Sequence, residues 1–413
     1  MQTSTRLWNK NFILLVTGQL MSIFGNQILT FALPLYILQT HDSAALFGTV
    51  LGLSFISLLI ASPIGGIMAD RLKKQYVMFW LDIITTAVIV LYMILSGIFV
   101  GAIVLLVIGK LLVLNAVQGF YMPVVQSAIP FIVPSDRLTQ ANSATSVVNT
   151  LSNIAAPAVA GLLLGIVGLW PILVIAVFCF AVTAVMDLLI DVPYKKQETS
   201  ESVLQTAKSD MAQAIRFVTE RPLLIKIGIL MTIIAMLATG ALMVGVPVFI
   251  IQTLGMGSHH MGIGRAISWG GALLGTAIVG YLGERLTIKT VPLIVIIMGI
   301  SLVPIGVALI LDVHHLVAFA MFIASDFMFT VVVLLYMIPL WVYIQRISPE
   351  ELVGKVMALF SALPFAAGGI GYLVYGVLFE RLYNLQWLTI FVTAFITCVT
   401  GIFFWKDFRE FDL

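Results

Sequence analysis

Charge is what this chain has least of. Only 10% of its 413 residues are Asp, Glu, Lys or Arg, while 61% are hydrophobic. A soluble domain carries roughly 25% charged residues, so a water-soluble globule is excluded. Cysteine is almost absent. Cys179 and Cys398 both lie inside apolar runs and lack metal-ligand spacing, which argues against a disulfide framework or a metal centre. The five histidines, His41, His259, His260, His314 and His315, fall in predicted outer loops and read as loop residues rather than ligands. No Gly-rich phosphate loop, nucleophile elbow or clustered metal motif is present, and no basic aromatic face fits a nucleic acid. The expectation is a protein with no cofactor, no metal, no nucleic-acid partner and no enzymatic activity. Long polar segments are also scarce, residues 191–221 being the one example.

What is present is apolar sequence in lengths that match a bilayer. A membrane-spanning helix needs about 20 apolar residues. Twelve such stretches can be counted, at 11–38, 45–69, 75–98, 102–131, 137–165, 169–190, 222–252, 260–283, 289–311, 315–345, 351–378 and 384–405. The first is longer than the core of a secretion signal and reads as a retained helix. Placing both termini in the cytoplasm puts 18 of the 21 Lys and Arg residues at that side and leaves Lys110, Arg265 and Arg381 over. That is the bias expected of a plasma-membrane protein with cytoplasmic ends. Within 191–221, Val203, Leu204, Ala207, Met211, Ile215 and Val218 recur at helical spacing among polar residues, predicting a surface-lying helix.

The chain also repeats itself. Gly65-Gly66-Ile67-Met68-Ala69-Asp70-Arg71-Leu72-Lys73-Lys74 returns in outline as Gly280-Tyr281-Leu282-Gly283-Glu284-Arg285. Pro34, Gly48, Gly66, Arg71, Pro123, Pro134 and Gly161 have counterparts at Pro247, Gly262, Gly280, Arg285, Pro339, Pro349 and Gly376, at offsets of 213 to 216. This predicts an all-α membrane protein of twelve helices in two pseudo-symmetric bundles: 1–190, a linker at 191–221, and 222–413. Parallel repeats of six helices are a transporter design.

At these residues the chain resembles the major facilitator superfamily across nearly its whole length. Gly66, Asp70, Arg71 and Lys74 match the loop signature Gly-x-x-x-Asp-Arg-x-Gly-Arg-Arg, with Lys73 where the second Gly is usual. Gly18-Gln19-Leu20, Phe31-Ala32-Leu33-Pro34-Leu35, Asp82, the run Val133 to Asn142 and the run Ser348 to Val356 resemble the macrolide-efflux and siderophore-exporter branch of the drug:proton antiporters. Two departures stand out: Asn115 where that branch often has Arg in the fourth span, and Ala155-Ala156-Pro157-Ala158-Val159-Ala160-Gly161 where small-residue Gly motifs are usual. The resemblance implies a monomeric, proton-coupled exporter of amphipathic small molecules working by alternating access. Exporters of a siderophore, lipid or metabolite, and a membrane-embedded enzyme, are the alternatives. The loop residues Gly66, Asp70, Arg71, Lys74, Glu284 and Arg285, with Asp82 beside them, are expected to gate the conformational change.

Charges at mid-span cost roughly 2.5–3.5 kcal/mol each on insertion scales, so each calls for a role. Lys110 and Asp326 both lie 13 residues before a repeat-related proline, Pro123 and Pro339. That equivalence predicts that they face the cavity as a coupled amine and carboxylate. Asp82 is expected to pair with the loop cations, Asp187 to sit at the interface, and Arg265 to reach toward the outer surface. Gln19, Asn26, Gln27, Asn115 and Gln118 are expected to supply polar cavity groups. Phe31, Tyr121, Phe249, Trp269, Phe329 and Tyr336 are expected to supply an aromatic wall.

Overall fold

The structure is a computed structural model that describes residues 7–192, 203–311, 313–349 and 352–409. Apolar length dictates the architecture. In a bilayer every backbone N–H and C=O must be satisfied inside its own segment, so long apolar runs become helices. Six helices form first: α1 (Lys10–His41), α2 (Ala44–Arg71), α3 (Lys74–Ile98), α4 (Ile103–Ile132), α5 (Leu138–Ile166) and α6 (Leu169–Leu189). A shorter helix, α7 (Val203–Thr219), precedes the second six. These are α8 (Pro222–Thr253), α9 (Ser258–Leu282), α10 (Ile288–Ile310), α11 (His315–Ile347), α12 (Val353–Arg381) and α13 (Tyr383–Phe403). Twelve of the thirteen are long and apolar enough to cross a membrane. Large side chains such as Ile60, Ile98, Leu105 and Phe403 are more than 60% exposed, which suits a surface solvated by lipid rather than water.

Close packing divides the chain into two units. The first comprises Met1–Ile37, Leu53–Val203 and Ser258–Ile263; the second comprises Leu38–Gly52, Leu204–Gly257 and Gly264–Leu413. Each unit therefore takes in a short piece of the other sequence half, and glycine explains both pieces. In the second unit, a Cβ built on Gly48 of α2 would lie 2.9 Å from the Cα of Gly376 on α12, and the reverse distance is 3.0 Å. In the first unit, a Cβ on Gly161 of α5 would lie 2.7 Å from the Cα of Gly262 on α9, with a reverse distance of 3.0 Å. Only residues without a Cβ permit backbones that close. Gly48 matches Gly262 in the repeat, and Gly161 matches Gly376. The two junctions are thus one contact made twice. The α2–α12 junction is further tied by Glu380, whose carboxylate accepts from Ser43 Oγ at 2.5 Å and from the Ala45 amide at 2.8 Å.

The first unit packs around a continuous core that includes Phe12, Leu15, Met78, Val124, Val125, Ala128 and Ile129. Its ends are pinned by polar contacts: Asn9 Nδ2 donates to the Ile132 carbonyl at 2.9 Å, and Asn11 Nδ2 to the Asp191 carbonyl at 3.0 Å. In the second unit, Phe249 stacks against Phe322 and Phe379 with centroids 5.7 and 5.0 Å apart. Lys226 donates to Asp407 at 2.5 Å, holding the short C-terminal helix.

In the described part of α7 the buried face is shifted from the predicted stripe. Ala214 and Phe217 are buried, while Ile215 is 45% exposed. Lys355 Nζ donates to Gln213 Oε1 at 2.8 Å beside this face.

The two copies of the loop signature also differ. After α2 the helix runs unbroken through Asp70 to Arg71. After α9 it breaks at Gly283, whose φ of +50° suits a residue without a Cβ. Lys73, standing where a Gly is usual, has φ −67° and ψ 112°, an extended conformation open to any residue. The side chains of Gly66, Asp70, Arg71 and Glu284 lie outside the described residues.

Candidate functional site

Each unit contains one buried charged site and they are built differently. In the second unit, Asp326 projects from α11 and is 4% exposed at its side chain; Arg265 projects from α9 and is 13% exposed. Arg265 Nη1 donates to Asp326 Oδ2 at 3.2 Å. Its Nη2 lies 2.6 Å from Met243 Sδ on α8. Arg265 therefore does not reach toward the outer surface as the sequence implied. It turns inward to the buried carboxylate of Asp326, and losing either partner would leave the other charge buried and uncompensated. The predicted Lys110–Asp326 pair is likewise replaced: the described partner of Asp326 is Arg265.

Beside this ion pair lies a cavity of about 230 Å³. Its wall includes Met231, Tyr336, Trp341, Phe360, Phe365 and Tyr372. Tyr372 on α12 sits close enough to Arg265 to feel its charge, and so links the ion pair to the cavity. A concave, mainly apolar space with a few polar groups is the usual form of a small-molecule site. Of the six aromatics expected to form a wall, Tyr336 is among its lining residues. Phe249 instead belongs to the Phe322–Phe379 cluster, and Phe329 is 5% exposed. Trp269 and Phe31 are half-buried, and Tyr121 belongs to the first unit's core.

In the first unit, Lys110 on α4 is 3% exposed, with Nζ 4.6 Å from the centre of the Tyr92 ring and no hydrogen-bond partner. A cation over an aromatic face recovers part of its desolvation cost. Asn115 donates back to the Leu111 carbonyl at 2.9 Å, so its amide is partly used within its own helix. Gln27 bonds to Asn153 on α5, and Asn153 and Asn149 bond back along that helix to Asn149 and Thr145. This asparagine ladder was not anticipated; the four-residue spacing of Thr145, Asn149 and Asn153 was its only trace in sequence. Gln19 and Asn26 are buried and Gln118 is half-buried.

Asp82 and Asp187 depart furthest from expectation. Asp82 is fully buried and Asp187 is 1% exposed. Asp82 Oδ1 accepts a hydrogen bond from Ser22 Oγ at 3.4 Å, and its carboxyl faces that of Asp187. Asp187 is not interfacial. It is buried on α6 with Phe180, Thr183 and Ala184, and Thr183 Oγ1 donates to the Gly18 carbonyl of α1 at 3.2 Å.

The model of the Major Facilitator Superfamily matches residues 15–372, and the chain belongs to this superfamily of membrane transporters. Over 98% of both chains it is 22% identical to macrolide efflux protein A of Streptococcus pyogenes. It is 26% identical to multidrug efflux pump Tap of Mycolicibacterium fortuitum, over 97% of both. Among solved structures it resembles a bacterial homologue of the human lysosomal transporter Spinster, with a TM-score of 0.73 and 15% identity over 97% of each chain. It also resembles the POT-family transporter PepTSo, with a TM-score of 0.74 and 14% identity over 98% of this chain and 99% of the other. These last two likenesses concern the fold. The chain is a multi-pass membrane protein with efflux pumps among its relatives.

Proposed function

We propose that this transporter exports amphipathic, drug-type small molecules from the cell, driven by a proton gradient and acting as a monomer. The observation that carries the reading is the aromatic cavity in the second unit, joined through Tyr372 to the buried Arg265–Asp326 pair. An apolar wall with two phenols and an indole suits a substrate with a large hydrophobic face and a few polar groups. The ion pair beside it gives the substrate something to perturb: a polar or cationic group on the cargo competes with Arg265 for Asp326. Efflux relatives over the full chain support the direction of transport.

Gly66, Asp70, Arg71 and Lys74, with Glu284 and Arg285 in the second copy, are proposed as a gating cluster at the cytoplasmic face of the plasma membrane. Charges there hold one conformation and must separate in the other. Lys110 is retained as a buried charge of the first unit rather than as the partner of Asp326.

Everted membrane vesicles test the reading. Uptake of macrolides or amphipathic dyes should follow an imposed proton gradient and stop when it is collapsed. Siderophores and lipids in the same panel discriminate the cargo class, and uptake of none of them would remove the proposal. Orientation is checked with single cysteines. One at Ser209 should be protected from an impermeant thiol reagent in intact cells, and one at His314 should react.

A further inference from the structure

The first unit buries two carboxyls against each other. On α3 the inward stripe is Met78, Asp82, Thr85 and Ile89; on α6 it is Phe180, Thr183, Ala184 and Asp187. α3 and α6 pack against each other, and both aspartates are buried. Their carboxyls are within hydrogen-bonding reach of one another. Ionised carboxylates only accept hydrogen bonds, so a bond between two of them requires a proton on one. The other groups facing the pair do not supply a neutralising charge. α1 contributes Ser22, which donates to Asp82 Oδ1, and α4 contributes the Tyr121 phenol, which bonds with Ser22 and interacts with both acids. Among the described residues no cation is in contact with either acid. Three further atoms point the same way. The Oδ2 of Asp82 and the Oδ2 of Asp187 are buried without a partner. So is the Oε1 of Gln19, which is 3% exposed and lies one turn before Ser22 on α1.

We propose that Asp82 and Asp187 bind one exchangeable proton between them and form the proton site of this transporter, with Ser22, Tyr121 and Gln19 as its polar surround. The proposal rests on the proton-driven reading for its role in transport, but not for the existence of the shared proton. The proton comes from water on one side of the membrane. It leaves as a hydronium on the other when the site is rehydrated, and no other co-reactant is needed. Binding it converts two desolvated negative charges into one. Loss of the proton leaves two like charges in contact, which favours any arrangement of α3 and α6 that separates them or admits water. The ion pair at Asp326 offers no such switch without freeing Arg265.

The test combines infrared spectroscopy and transport in proteoliposomes. The wild type should show a carboxylic-acid carbonyl band that shifts in deuterated water and disappears on raising pH. Asp82→Asn and Asp187→Asn should each remove it, and Asp326→Asn should leave it in place. Asn is close in shape to a protonated Asp, so both variants should fold. Each should lose uphill export of an amphipathic dye by at least tenfold while still equilibrating the dye downhill. A band that is absent, or that survives both substitutions, would overturn the shared proton. Loss of the band with uphill export intact would make the proton structural and overturn the coupling role. A requirement for sodium in place of the pH dependence would assign the pair to a metal cation instead. If the wild type shows no gradient-driven export but the band behaves as stated, the proton-driven reading fails and the coupling role fails with it, while the proton-binding pair stands.

Discussion

In the second unit the carboxylate of Asp326 meets a guanidinium; in the first, the carboxyl of Asp82 meets another carboxyl. Both lie on apolar helices where a lone charge is expensive. The ion pair resolves the cost by Coulomb attraction and one well-placed hydrogen bond, leaving a site that is neutral while both partners stay put. The acid pair has no counter-charge among the described residues, and in the proposal above a single shared proton removes one of its two negative charges. The first arrangement is stable and hard to alter without breaking; the second changes charge whenever a proton comes or goes.

The comparison is broken most directly by removing one acid from each site. Asp326→Asn leaves Arg265 buried and unpaired, which typically costs about 3–5 kcal/mol. It should lower thermal stability in detergent sharply, and Arg265→Gln in the same molecule should restore much of it. Asp82→Asn should change stability far less, because it imitates the protonated state. Equal losses for the two variants would mean that the acid pair is not protonated in the folded protein.

The glycine junctions provide the next largest effect. Gly376→Leu and Gly161→Leu force a side chain into a neighbouring backbone, and overpacking of this kind costs about 1–3 kcal/mol. Because the junctions are repeat-related, export measured at equal membrane abundance should fall similarly in both. A selective effect of one would show that the duplication no longer means functional equivalence.

The two loop copies should be less equal. Asp70→Asn should slow vesicle export several-fold, whereas Glu284→Gln, following the break at Gly283, should have a milder effect. Wild-type export by Asp70→Asn would remove the gating role. The smallest change is expected at Lys110. Replacing it by Met exchanges an unpartnered buried amine for an apolar chain of similar length, and loses a cation–π contact worth roughly 0.5–2 kcal/mol. Melting of Lys110→Met should stay within a few degrees of the wild type, and a large drop would show that Lys110 holds a partner essential to the fold.

Much of the architecture was legible because bilayer physics is severe. Twelve apolar stretches became twelve helices, with α8 at Pro222–Thr253 against a predicted 222–252. The rare intramembrane charges were also visible as exceptions. Their partners were not. The equal spacing of Lys110 and Asp326 from their prolines reported equal depth, but depth does not set the angular position of a side chain around its helix. Asp187 looked interfacial because it lies one turn from the end of α6; its neighbours Thr183 and Ala184 show instead that its face is buried.

The amino-acid sequence by itself determined that this is a twice-repeated helical membrane protein, because backbone polar groups in lipid leave an apolar chain no other option. It also determined which glycines correspond across the repeat. Only the tertiary structure decided that Gly48 meets Gly376 while Gly161 meets Gly262, that Arg265 rather than Lys110 neutralises Asp326, and that Asp82 and Asp187 share one site. The physical reason is that helix formation is settled locally, by each segment's own hydrogen bonds. Which buried charge finds which partner depends on helix rotation and packing, and residues 60 to 330 positions apart enter together.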